Sequence, residues 1–180
     1  MLDPDILEAM MRNAGAPGAL IRRSMAEICR IAQSLYVRRV PNIERKVCPG
    51  VRPLLRGLGR LGVPMGLVTG NLTRIGWKKV ERAGLRSYFR LGAFGEMSRD
   101  RAGLVRLILK ETRRRGWLRD SAPVSLIGDT PVDVSAARSN GIRAVAVATG
   151  LSTWEELESS TPDILVRDLR ELRAEQLIAD

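Results

Sequence analysis

The stretch Ser125-Leu126-Ile127-Gly128-Asp129-Thr130-Pro131-Val132-Asp133-Val134 decides how this chain folds. A short apolar run closes on a glycine, and two carboxylates follow, the second just past a proline that opens a helix. Read as a buried strand and the first turn of a helix, the stretch sets Asp129 at the strand's carboxyl end. Asp133 then lies one turn into the helix, so both carboxylates can face one spot above a sheet. Two hard oxygen ligands with few neighbours suit Mg²⁺, which keeps several waters and bridges to a substrate phosphate. Taken singly, Asp129 reads equally as a helix N-cap and Asp133 as a favourable first-turn charge.

A second segment has the same build. Leu67-Val68-Thr69-Gly70-Asn71 is an apolar run that ends in a hydroxyl, a glycine and an amide just before a helix. A hydroxyl with backbone N–H groups at such an end makes a phosphate cradle. Thr69 and Asn71 also read as turn and N-cap residues.

Around these two segments the chain alternates. Helices are expected over 51–61, 73–83, 101–115, 131–140 and 153–158, with a further helix at the chain's end. Strands are expected over 64–68, 91–94, 124–128, 144–147 and 163–166. Short β-rich runs separated by helices imply a parallel sheet covered on both faces, an α/β doubly wound, Rossmann-like layout. Ligands then bind at the carboxyl ends of the strands. Residues 1–47 differ. Asp3-Pro4-Asp5 opens one helix, Gly15 to Gly18 breaks it, and a second runs over 19–39 with Leu20, Met25, Ile28, Ile31, Ala32 and Leu35 near one face. The expected division is a helical unit over 1–47 and an α/β unit over 48–180.

Composition narrows the chemistry. The 180 residues include no histidine, which removes imidazole-based triads, His-ligated zinc and His acid/base catalysis. Of the 30 basic residues, 26 are arginine, spread along the chain, and they face 20 acidic ones. An even spread reads first as a solvated surface. Only 4% of residues are aromatic, which leaves little for base stacking, so nucleic acid is the third-ranked partner. Cys29 and Cys48 form no metal spacing and read as reduced thiols. No run approaches a membrane span and no signal segment opens the chain, so a cytoplasmic protein without membrane contact is expected.

Together the two strand-turn-helix segments resemble the haloacid dehalogenase (HAD) superfamily, in particular its phosphoglycolate-phosphatase-like branch with a helical cap. Gly128 to Asp133, followed by Ala136-Ala137-Arg138 and Gly141-Ile142, is similar to that family's fourth motif. Val145 to Gly150 continues it. Leu67 to Asn71 is similar to the second motif, and Cys48-Pro49-Gly50-Val51 to the return from cap to core. The resemblance implies a HAD-like core with a partial helical cap. It implies that Thr69 hydrogen-bonds the transferring phosphoryl group while Gly70 and Asn71 help bind it. Asp129 would ligate Mg²⁺, and Asp133 would hold the metal directly or through water. The family's third motif is usually a lysine before a proline. Here Arg101 is the best match, with Arg99 behind it, and an arginine is larger, with a more diffuse charge.

The family's first motif, an Asp-x-Asp ending the first strand, has no counterpart. Asp3-x-Asp5 matches its letters but sits at a helix start. The resemblance therefore implies a chain that begins inside the cap and lacks the central strand, with two neighbouring strands left unpaired unless they close on each other. Poor stability, homodimerisation or aggregation would follow. The function implied is a Mg²⁺-dependent phosphomonoester hydrolase acting on a small phosphorylated metabolite through an aspartyl-phosphate, inactive as this chain alone. The alternative is a non-catalytic phosphate-binding or protein-interaction module of the same descent.

Overall fold

A computed structural model describes residues 2–119 and 122–178. Its first element is an antiparallel pair of helices, α1 (Asp3–Asn13) and α2 (Gly18–Arg39), broken at Gly15, whose φ of 81° ends α1. The α/β part follows: α3 (Val51–Arg60), β1 (Gly66–Val68), α4 (Thr73–Arg82), β2 (Leu91–Ala93), α5 (Arg101–Arg114) and β3 (Ser125–Gly128). It continues with α6 (Pro131–Arg138), β4 (Arg143–Val147), α7 (Trp154–Ser159) and β5 (Ile164–Val166). Pro49-Gly50 turns the chain into α3. Gly50 has φ 83°, and a Cβ there would lie 2.1 Å from the backbone carbon of Leu169, so only glycine fits.

All strand pairs are parallel, but the strands form two sheets. β1 pairs with β2, and β3, β4 and β5 form a separate ladder in that order. α5 starts just beyond the carboxyl end of β2 and leads back to the start of β3, packing on β1 and β2 and against α6. Both sheets therefore run the same way, and the break falls between β1 and β3. The two strands do not close on each other. Each leaves one edge without a partner strand among the described residues.

The core shows why the flanking helices still join the two sheets. β4 is apolar on both faces, and its side chains alternate as a strand's must. Val145 packs with Leu54 and Leu58 of α3 and with Ile127 and Ile164. Ala144 and Ala146 face the other way, to Val134 and Ala137 of α6 and Leu157 of α7. Val105 and Leu109 of α5 pack over Val68 from one sheet and Leu126 from the other. α5 is thus a lid of aliphatic side chains laid across the break.

Two expectations are corrected. A terminal helix does not form: beyond β5 a single 3₁₀ turn, Ala174–Leu177, is followed by Ile178, the last residue described. Leu172, Ala174 and Leu177 are all buried against α3, a spacing that an α-helix would not turn to one face. The apolar face expected on α2 is also largely outside: Ile21 alone is buried, while Leu20, Ile31 and Leu35 are exposed. The reason is placement. α2 packs mainly against α1 and α4.

Candidate active site

The residues that end β1 and β3 flank the break at the same end of the molecule. Thr69 follows the last residue of β1 and Asp129 the last residue of β3. The N-termini of α4, α5 and α6 open at that end too, so their positive dipole ends gather there. This is where a parallel α/β sheet binds ligands.

On the β3 side the two aspartates divide the work. Asp129 does not cap α6; Thr130 does, with its Oγ1 accepting from Asp133 N at 3.4 Å. The same hydroxyl donates to Asp133 Oδ2 at 2.7 Å. Asp133 Oδ1 lies 3.1 Å from Arg101 Nε, with the two side chains only 12% and 20% exposed. That Nε is close enough for an ion pair, yet its N–H is not aimed at the oxygen, and the atom is buried without a hydrogen bond. The attraction there is Coulombic, and the guanidinium is not fully satisfied by the protein. Among the described residues Asp133 is the one buried acidic residue, spoken for on both oxygens.

Asp129 has no hydrogen bond or ion pair among the described residues. Its carboxylate rests on the backbone at Gly150, where a Cβ would come within 1.8 Å of Oδ2. Gly128 does the same for Asp133, whose Cβ would lie 2.3 Å from any Cβ added there. Both glycines are sites of close approach, each letting a carboxylate lie flat on the chain behind it.

On the β1 side, Thr69 Oγ1 accepts from Asn71 N at 3.2 Å, an ST-turn at the mouth of α4. Asn71 is not the N-cap; that position is Leu72, which has no acceptor side chain. The Asn71 amide instead donates to Asp3 Oδ1 at 3.1 Å, and Gly70 O accepts from Asp3 N at 2.8 Å. Asp3 does open a helix, as its spacing predicts, but its carboxylate also joins this cluster. Arg99 is exposed on the loop before α5, and the ion pair with Asp133 is made by Arg101.

The structure thus joins Arg101, Thr130 and Asp133 by direct contact, sets Asp129 beside them, and groups Thr69, Gly70 and Asn71 across the break. Sequence reasoning missed Thr130, Gly150 and Asp3 as members of the site. Thr130 had a signal, the Thr-x-x-Asp spacing of a capping box. The other two had none, since their partners are distant in sequence.

Among the described residues, no group of three or more acidic or thiol side chains converges as a metal site. The donors present suit a hard cation in part: Asp129 offers two uncommitted oxygens, while Asp133 has none to spare without giving up Thr130 or Arg101.

The family described as HAD-hydrolase-like matches residues 102–172, which take in Asp129, Thr130, Asp133 and Gly150. Over that segment the chain is similar to the haloacid dehalogenase superfamily. It is 35% identical over 120 residues to a phosphoglycolate phosphatase of Synechococcus elongatus, covering 66% of this chain and 53% of that one. It is 28% identical over 129 residues to a phosphoglycolate phosphatase of Pseudomonas syringae, covering 70% of this chain and 46% of that one. The chain therefore spans about half the length of the curated relatives it matches. A β-phosphoglucomutase structure from Clostridium difficile shares the fold at a TM-score of 0.71 and 14% identity, covering 98% of this chain and 75% of that one. No helix among the described residues is long and apolar enough to cross a membrane.

Proposed function

We propose that this chain belongs to a cytoplasmic phosphomonoester hydrolase that acts on a small phosphorylated metabolite with Mg²⁺. The observation that carries the reading is the contrast at the end of β3. Asp133 is locked to Thr130 and Arg101 while Asp129, four positions earlier, is held in place yet left without a partner among the described residues. Asp129, with no partner among the described residues, and Arg101, whose Nε is buried without a hydrogen bond, are the groups left to take a ligand.

In this reading Asp129 is the metal ligand and Asp133 acts on the metal through water. Mg²⁺ supplies charge neutralisation at the phosphoryl oxygens and leaves the protein to position them. Arg101 is anchored at Nε, and neither Nη makes a hydrogen bond among the described residues, so the planar end of the guanidinium can meet two phosphoryl oxygens at once. Thr69 and the Asn71 amide supply hydrogen bonds from the opposite wall. The nucleophile is a carboxylate on a further parallel strand seated in the break, where it would satisfy the free edges of β1 and β3 and carry the aspartyl-phosphate.

The test compares two polypeptides. The 180-residue chain should not hydrolyse p-nitrophenyl phosphate with Mg²⁺, whereas a version supplied with an apolar strand ending in Asp-x-Asp should, and Asp129→Asn should abolish that turnover. Hydrolysis by the 180-residue chain that persists in Asp129→Asn overturns the reading.

A further inference from the structure

The α1–α2 hairpin is attached to the core by two deeply buried apolar side chains: Leu2, just ahead of α1, which packs with Val68, Ala93, Leu104 and Ile108, and Ile21 of α2. α1 buries none of its residues and α2 buries only Ile21, while Ile6, Met10, Leu20, Ile31 and Leu35 remain exposed. Beside that apolar anchor it has a polar attachment at the first turn of α4. That helix has no capping side chain of its own, so its leading N–H groups must find acceptors elsewhere. Leu72 N donates to Asp3 Oδ2 at 2.9 Å, Thr73 N to Glu96 Oε1 at 2.9 Å, and Arg74 N to Gln33 Oε1 at 2.8 Å. Asp3 and Gln33 both belong to the hairpin. Asp3 also takes the Asn71 amide at 3.1 Å and donates its own N–H to Gly70 O at 2.8 Å.

A carboxylate thus occupies the end of a helix that attracts anions, on the same Asn71 amide that a phosphoryl group would use. One set of donors cannot serve both, and two anions on it would repel. We infer that Asp3 is an internal competitor for the phosphate cradle, so that docking of the hairpin and binding of a phosphoryl group at Asn71 exclude each other. The hairpin is then a latch released by phosphate, the opposite of a lid that phosphate closes. This rests on reading Thr69 to Asn71 as the phosphoryl cradle.

Cys29 reports the docked state. It lies on α2, half-buried, and burial, then the charges of Glu96 and Asp3, push its thiol pKa up. Undocking would expose it and lower that pKa, and both changes speed reaction with a disulfide reagent. The experiment measures the rate of Cys29 modification by Ellman's reagent in Cys48→Ser, which removes the exposed thiol. Asp3→Ala is expected to raise the rate about tenfold or more, the scale of hydrogen bonds to a charged acceptor. Gln33→Ala, which removes the other hairpin acceptor, should raise it less. Saturating inorganic phosphate should raise the rate in the parent and leave Asp3→Ala unchanged, while chloride at equal ionic strength should do neither. Circular dichroism on each protein separates undocking from unfolding. A parent rate that phosphate leaves unchanged or lowers, in folded protein, overturns the latch, as does an unchanged rate in Asp3→Ala. No turnover enters the measurement, so failure of the hydrolase reading would appear separately, as absent Mg²⁺-dependent hydrolysis in the strand-supplied protein.

Discussion

Asp129 and Asp133 are both needed by the proposed chemistry, but only one of them should matter for stability. Replacing Asp133 with alanine removes the acceptor of the Thr130 hydroxyl and the counter-charge of Arg101, whose side chain is 20% exposed. Breaking a buried ion pair from one side costs about 3–5 kcal/mol, because the surviving charge is stranded. The partial exposure of both side chains lets water reach Arg101 and trims this, so roughly 2–4 kcal/mol is expected. In a chain of this size, each kcal/mol moves the melting midpoint by about 2–4 °C, giving a fall of roughly 5–15 °C. Asp129→Ala removes a carboxylate with no described partner and should change stability by less than about 0.5 kcal/mol. Urea unfolding followed by far-ultraviolet circular dichroism measures both, with a common slope showing that the unfolded states are alike. Asp133→Ala within about 1 kcal/mol of the parent, or Asp129→Ala equally costly, would refute the division of labour drawn from the hydrogen bonds.

Other outcomes follow from single contacts. Gly150→Ala should displace the Asp129 carboxylate, which a Cβ there would meet at 1.8 Å, and calorimetry on the strand-supplied protein should then show Mg²⁺ binding lost while the fold persists; unchanged affinity would mean Asp129 is not held by that glycine. Glu111 and Asp168 are held down to a pKa of about 2, first by hydrogen bonds from Arg114 and Arg170 respectively. Their contribution to stability is present above the ordinary carboxylate range and fades as pH falls towards about 2, and side-chain carboxyl NMR titrations with midpoints near 4 would contradict it. With the edges of β1 and β3 unpaired, the 180-residue chain should associate with rising concentration in sedimentation velocity. A concentration-independent monomer with one cooperative melt well above ambient temperature would show that the edges are satisfied some other way.

The readable part of this fold was local. Strand 125–128 and helix 131–138 follow from an apolar run, a glycine and a proline, and the same signals placed every strand observed among the described residues to within two positions. Where local signals failed, burial decided: Leu172 and the 3₁₀ turn Ala174–Leu177 pack on α3 although the composition there favours a helix. α2 carries the periodicity of a core helix, yet it packs mainly on α1 and α4 and shows its leucines to solvent.

The amino-acid sequence by itself determined that two strands end in functional groups ahead of helices, and that any chemistry here uses carboxylates, hydroxyls and guanidinium groups without imidazole. Those are matters of residue type and short spacing, and they survive any packing. Only the tertiary structure decided that Thr130 rather than Asp129 caps α6, that Arg101 and not Arg99 pairs with Asp133, and that Asp3 reaches Asn71 from 68 positions away. Each of those outcomes turns on which donor lies within about 3 Å of which oxygen. That distance is set by how helices cross the break between the sheets, and no local pattern encodes it.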